Sequence, residues 1–313
     1  MNAKKPIRLR DFVEDRDGWL YAVSAYDNAD RVGCVLRYVP DPRGERSNRE
    51  GQRYRKLEFE EAYALIASEK PSYSDRIQRV PYEDIRRVFK PEEELPGCAR
   101  RDRRIGALLE IFGLPPGCMG ITGSFLCGLE IGTSDIDLVV YGPTWFSAQE
   151  TLRTAISKRV VMDLDDEMWH RVYRKRNPET SFDEFMLHEV RKWNRGVIGD
   201  TYFDLLYTRS YGELDRMIPG PGEKDGTMTL RAIVTDASLA FDNPAVYLVR
   251  HPEISKVLSF THTYSGQALA GETIEARGVC ERHGGEKWLI VGTTREARGE
   301  YIRSLTLLEQ QKH

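Results

Sequence analysis

Apolar and polar positions alternate in three regimes along the chain. Up to about residue 95, short runs with strand-like character come first: LRDFVED, GWLYAVSAY and GCVLRYV, with a turn expected at Asp17-Gly18. A charged stretch, PDPRGERSNREGQRYRK, separates them from EFEEAYALIASEK, whose apolar positions recur at helical spacing. This first region predicts an α+β domain over 1–95. The stretch PEEELPG at 91–97 reads as a linker, because two prolines and a glycine punctuate it.

Residues 96–217 alternate between helix and strand periods. RDRRIGALLEIFG places Ile105, Leu108, Leu109 and Phe112 on one helical face and stops at Gly113. CMGIT and DIDLVVYG read as short strands, SAQETLRTAISK and LDDEMWHRVYRKR as helices. SFDEFMLHEVRKWNRG opens with Ser181 and Glu184 at capping-box spacing and carries the stripe Phe182, Phe185, Met186, Val190 and Trp193. TYFDLLYTRS then reads as a strand. IPGPGEKDGT at 218–227 predicts a second linker. Beyond it, TLRAIVTDA, AVYLVR, VLSFTHTY, TIEARGVCER and KWLIVGTT are strand candidates, the last two joined by a hairpin at Gly284-Gly285. Strands at this spacing predict a small all-β, barrel-like domain over 228–313.

Composition narrows the class without choosing a function. The 313 residues carry a net charge of -3, with 40% hydrophobic and 30% charged residues, as expected of a soluble globular chain of two or three domains. Near-neutral balance leaves nucleic-acid binding to local patches. No run approaches the ~18 apolar residues of a membrane span. The basic N-terminal stretch lacks the apolar segment of a signal peptide. Five scattered cysteines without a C-x-x-C pair argue against a disulfide framework or a zinc site, so a reducing cytoplasm is the expected setting.

The candidate chemistry lies in GITGSFLCGLEIGTSDIDLVVYG, residues 120–142. Asp135 and Asp137 are one residue apart in an otherwise apolar strand, so both project to one face. Buried carboxylates need a cation, and an oxygen-only set favours Mg²⁺ or Mn²⁺. Upstream, Gly123-Ser124 forms a glycine-led strand-to-helix turn, whose N–H groups and hydroxyl suit a phosphate.

Gly123-Ser124, a ten-residue spacer and Asp135-Ile136-Asp137 resemble the signature of the DNA polymerase β-like nucleotidyltransferase superfamily. The multi-domain layout is similar to predicted nucleotidyltransferases of archaea. The resemblance covers about 98–210 and implies a mixed-sheet catalytic core between the two flanking domains. It implies that Asp135 and Asp137 bind two metal ions and that Asp204, isolated in TYFDLLYT, is the third carboxylate. Gly123 and Ser124 would hold the phosphates of an NTP, and a hydroxyl acceptor would attack the α-phosphorus and release pyrophosphate. Where small relatives carry an arginine-containing run after the serine, this chain has Phe125-Leu126-Cys127-Gly128, so the cation must come from elsewhere.

Lys192 and Arg195, expected at a helix end just before the Asp204 strand, are the candidates for that cation. Arg171, Arg174, Lys175 and Arg176 read as a solvated face. His188 reads as structural, since a metal-assisted route needs no histidine. The basic stretch with Arg43, Arg46, Arg49, Arg53, Arg55 and Lys56 suits either a nucleic-acid backbone or a solubilising loop. His262, Tyr264, Arg277, Arg282 and Trp288 would form a nucleic-acid platform on a barrel. The flanking domains favour a macromolecular acceptor, first an RNA resembling a tRNA 3′ end. Protein nucleotidylation, cyclic or linear oligonucleotide synthesis, and an inactive nucleic-acid-binding module are the alternatives.

Overall fold

The computed structural model describes residues 5–215, 220–294 and 297–311. The chain is mixed α+β and divides into two compact units, Met1–Met162 with Asn194–Met217, and Asp163–Trp193 with Ile218–His313. Among the described residues no helix is long and apolar enough to cross a membrane.

In the first unit, β1 (Phe12–Asp15), β2 (Leu20–Val23), β3 (Arg31–Pro40), β4 (Arg46–Ser47), β5 (Arg53–Lys56), β6 (Gln78–Pro81) and β7 (Ile85–Phe89) form one sheet. Its order is β4-β5-β3-β2-β1-β7, and β6 pairs with β3. Val13, Tyr21, Val32, Cys34 and Leu36 pack with Ala62 and Ile66 of α1 (Phe59–Glu69). The charged stretch 40–56 is therefore largely a β4–β5 hairpin closing this sheet.

The stretch expected as a linker at 91–97 is instead the start of a helix, α2 (Pro91–Arg101). Pro91 occupies the first turn, where a missing N–H costs nothing. Glu92, Glu93 and Glu94 lie at the positive end of the helix dipole and Arg100 and Arg101 at the negative end. Leu95 and Cys98 are buried, so tertiary packing overrides the punctuation. Next, α3 (Arg103–Phe112) is capped by the Asp102 side chain and stops at left-handed Gly113.

A second sheet holds β8 (Met119–Ile121), β9 (Ile136–Tyr141), β10 (Arg195–Ile198) and β11 (Thr201–Thr208) in the order β10-β11-β9-β8. Between β8 and β9 lies a short helix, α4 (Gly123–Cys127). After β9, α5 (Thr144–Ser157) packs back on the sheet. Only the β9–β11 pair is parallel, as a long crossover connection permits. Leu126 and Leu129 join Phe12, Leu20, Tyr38, Tyr54 and Phe89 in one apolar cluster, which makes the first and second sheets one unit.

In the second unit, α6 (Asp166–Arg176) and α7 (Phe182–Val190) pack with strands β12 (Glu223–Leu239), β13 (Ala245–Arg250), β14 (Ile254–Ser259), β15 (Thr273–His283), β16 (Glu286–Val291) and β17 (Tyr301–Ser304), followed by α8 (Leu305–Gln310). The sheet order is β12-β13-β14-β16-β15-β17, and β12 also pairs with β15. Residues 163–193 thus leave the expected central block. Arg191 binds Glu272 at 2.6 and 3.0 Å, and the Tyr264 hydroxyl accepts the Glu179 N–H at 3.2 Å. The second expected linker is strand from Glu223 onward, paired with Arg282 at that residue; Ile218 and Pro219 lie outside the described residues.

Gly120 lets α2 approach the second sheet. A Cβ there would stand 2.5 Å from Pro91 Cβ, 2.7 Å from the Pro91 carbonyl carbon and 2.7 Å from Tyr141 Oη. Gly120→Ala is expected to destabilise the protein by about 1–3 kcal/mol through overpacking. A denaturant midpoint equal to wild type would disprove the close approach.

Candidate active site

Register in the second sheet decides which side chains meet. Asp137 on β9 lies directly opposite Asp204 on β11, and Asp204 lies opposite Arg195 on β10. Cross-strand partners share a face, so Arg195, Asp204 and Asp137 form a row over three strands. The opposite face is apolar: Ile136, Leu138, Phe203, Leu205 and Tyr207 are buried. Phe112 of α3 meets Phe203 edge-on at 6.5 Å, and Trp145 of α5 meets Tyr207 at 6.0 Å. The helices therefore cover the apolar face and leave the acidic row on the other.

Gly123 stands beside the row. The Thr122 N–H donates to the Asp137 carbonyl at 2.9 Å, and Gly123 follows with φ +67°. A Cβ on Gly123 would lie 2.6 Å from Asp137 Oδ2, so only glycine satisfies both the left-handed turn and the approach of the carboxylate. Ser124 follows in the first turn of α4. Asp135, exposed, precedes β9 by one residue, two positions from Asp137.

Asp204 is held on its own strand. Tyr202, two residues earlier and hence on the same face, donates its hydroxyl to Asp204 Oδ1 at 2.7 Å. Arg195 Nε is 3.9 Å from the same oxygen. The sequence placed Arg195 at a helix end; α7 instead stops at Val190, and Trp193 takes a left-handed φ of +44° before Arg195 opens β10. That reversal makes Arg195 the strand neighbour of Asp204. Tyr202 was missed, although the i, i+2 rule applied to Asp204 finds it. Arg10 was missed as well: its φ is +74°, unusual for arginine, and its carbonyl accepts the Thr122 hydroxyl at 2.8 Å.

Lys192 belongs to the second unit and is not part of the row. Its buried ammonium is paired with Glu189 and donates to the Thr263 carbonyl at 3.3 Å. His188 is structural. Its Nδ1–H donates to the Glu184 carbonyl at 2.8 Å, and its Nε2 accepts the Ser304 N–H at 2.9 Å. Burial pushes its pKa down to about 4. Nor do the C-terminal aromatics form an exposed stacking platform: Tyr264 and Trp288 are buried, Trp288 against His283 at 3.8 Å, and Arg282 pairs with Asp225.

Among the described residues, no three His, Cys, Asp or Glu side chains are gathered as a metal cluster. The donor set of Asp135, Asp137 and Asp204 nevertheless fits a hard divalent cation. It is oxygen-only, and the missing Cβ of Gly123 keeps side-chain bulk away from Asp137 Oδ2.

No protein-family profile and no solved structure matches the chain. It is 36% identical to "Uncharacterized protein MJ1086" of Methanocaldococcus jannaschii over 335 aligned positions, covering 95% of this chain and 98% of that one.

Two outcomes are expected. Gly123→Ala should cost about 1–2 kcal/mol for the left-handed turn plus a clash with Asp137. In an Asp137→Ala background the clash vanishes, so the two substitutions should be non-additive by at least ~0.5 kcal/mol in denaturant titrations; strict additivity would contradict the contact. For His188 the folded pKa of about 4 lies below the ordinary 6.5. Its contribution is complete above pH 6.5 and is lost as pH falls toward 4. The stability advantage of wild type over His188→Gln should therefore shrink by about 3 kcal/mol across that window. A pH-independent difference would mean that the buried imidazole does not stay neutral.

Proposed function

The chain belongs to the same family as MJ1086 of Methanocaldococcus jannaschii, and we propose that it is a divalent-metal-dependent nucleotidyltransferase with a polymerase β-like core. One observation supports this above the others: Asp137 and Asp204 stand opposite each other on adjacent parallel strands, beside a glycine whose absent side chain makes room for a carboxylate. A fold gains nothing from placing two like charges as cross-strand partners. A binding module would be better served by a polar or cationic pair.

In this reading Asp135, Asp137 and Asp204 hold Mg²⁺ or Mn²⁺. When bound, the cation neutralises phosphate charge and makes the acceptor hydroxyl more acidic. The backbone at Gly123 and the hydroxyl of Ser124 hold the outer phosphates of the NTP. Tyr202 keeps the Asp204 carboxylate turned to the row. Arg195 rather than Lys192 supplies the nearby positive charge, because the Lys192 ammonium is committed to Glu189. The acceptor hydroxyl loses its proton to solvent as its oxygen forms a new ester bond to the α-phosphorus, the α–β anhydride bond breaks, and pyrophosphate leaves with its electron pair. In the second unit, the pairings β12-β13-β14-β16-β15 return to β12, and we read this ring as a small barrel. RNA is the proposed acceptor.

The test incubates the protein with Mg²⁺ or Mn²⁺ and each α-³²P-labelled NTP, alone and with total RNA. Asp137→Asn and Asp204→Asn should each lower label transfer by roughly a hundredfold or more while the thermal midpoint is retained. Label on RNA supports the proposed acceptor; label on the protein or in a new small product reassigns it. Transfer by both variants at the wild-type rate, or none by wild type, would overturn the proposal.

A further inference from the structure

Arg46 comes from the basic stretch that the catalytic reading leaves unused. In the β4–β5 hairpin two cations have local partners: Arg53 Nε donates to the Gly44 carbonyl at 2.9 Å, and Arg55 pairs with Glu61. Arg46 turns the other way. Its side chain is only 11% exposed, and its Nη1 donates to the Leu129 carbonyl and to Ser134 Oγ, both at 3.1 Å.

Those two acceptors bracket the loop from α4 to β9. Leu129 is fully buried at one end. At the other, the Ser134 N–H donates to the Ile131 carbonyl and the Ile131 N–H donates to Ser134 Oγ, each at 2.9 Å. The next residue is Asp135, exposed, and the one after it is buried Ile136. Asp135 therefore has a rigid strand on one side and, on the other, a short turn whose serine is tied to Arg46. The arginine costs burial of a charged group, and its closest acidic partner, Glu45, is a loose 3.7 Å away. A fold that needed only filling at this point would be served by a methionine, without desolvating a guanidinium.

We propose that Arg46 is a positioning residue: through Ser134 it fixes where Asp135 stands relative to Asp137, and so sets the affinity of the acidic row for a divalent cation. This rests on the metal-dependent reading above. The probe is Mn²⁺ alone, its binding to the full-length protein followed by electron paramagnetic resonance, with thermal midpoints measured in parallel. Arg46→Met should weaken Mn²⁺ binding by about tenfold, the low end of the cost of removing a hydrogen-bond partner of a metal ligand, because Arg46 acts on Asp135 one residue removed, through Ser134. Ser134→Ala should weaken it by a smaller factor. The double variant should be weaker than Arg46→Met by less than the full Ser134→Ala factor, because the Arg46–Ser134 hydrogen bond is common to both substitutions; Arg46→Lys should recover part of the loss.

Unchanged Mn²⁺ affinity in Arg46→Met, or effects that simply multiply in the double variant, would overturn the positioning role while leaving the metal site standing. A lowered thermal midpoint without an affinity change would do the same. Wild type that fails to bind Mn²⁺, or binds it no better than Asp137→Asn, would overturn both the metal site and the role given to Arg46.

Discussion

Like charges placed directly opposite each other on adjacent strands are unfavourable unless their surroundings compensate. The second sheet sets Asp137 against Asp204 in this way. The Tyr202 hydroxyl and Arg195 stand at Asp204 Oδ1. Gly123, without a side chain, stands beside Asp137 Oδ2. Elsewhere the same chain treats buried acids differently. Asp11 has Lys90 at 2.6 Å, though burial still pushes its pKa up to about 6. Asp15 is fully buried, with Lys70 at 2.6 Å and the Tyr21 hydroxyl at 2.9 Å. In both a lysine ammonium stands against the acid, and Lys70 also reaches Asp17. In the second sheet, by contrast, two acids are cross-strand partners, and Arg195 lies opposite Asp204 on the next strand.

That row exists because β9 and β11 are parallel. Parallel neighbours need a long connection, and here it runs from Gly142 to Asp200. Its first part, α5, returns to cover the apolar face of the sheet. Its second part, α6 and α7, is diverted into the second unit, held there by contacts such as Arg191 with Glu272 and His188 with the Ser304 backbone. The second sheet is thus closed by chain that has first contributed to another core.

Positioning contacts reach the row from the N-terminal sheet as well. Thr122, next to Gly123, donates to the Arg10 carbonyl, and Arg46 ties down the loop that leads into Asp135. These are hydrogen bonds between residues some 90 to 110 positions apart, and they explain why the first two sheets form one unit and not two independent modules.

Local pattern alone dictates a good deal of this. Helical spacing with Gly113 as the stop yields α3, short apolar runs yield β9 and β11, and Gly284-Gly285 closes the β15–β16 hairpin. That Asp137 points away from Ile136 and Leu138 follows from strand geometry over three residues. Local pattern failed where a distant contact outweighs it. The prolines of PEEELPG read as a break, yet buried Leu95 and Cys98 and the gap at Gly120 make that stretch a helix. Arg195 read as a helix end, yet pairing with β11 makes it a strand residue. The register that sets Asp137 against Asp204 and the docking of Arg46 on Ser134 have no local signature. Strand pairing and long-range side-chain contacts are settled by the burial of apolar faces far apart in the chain, so only the assembled tertiary structure could decide them.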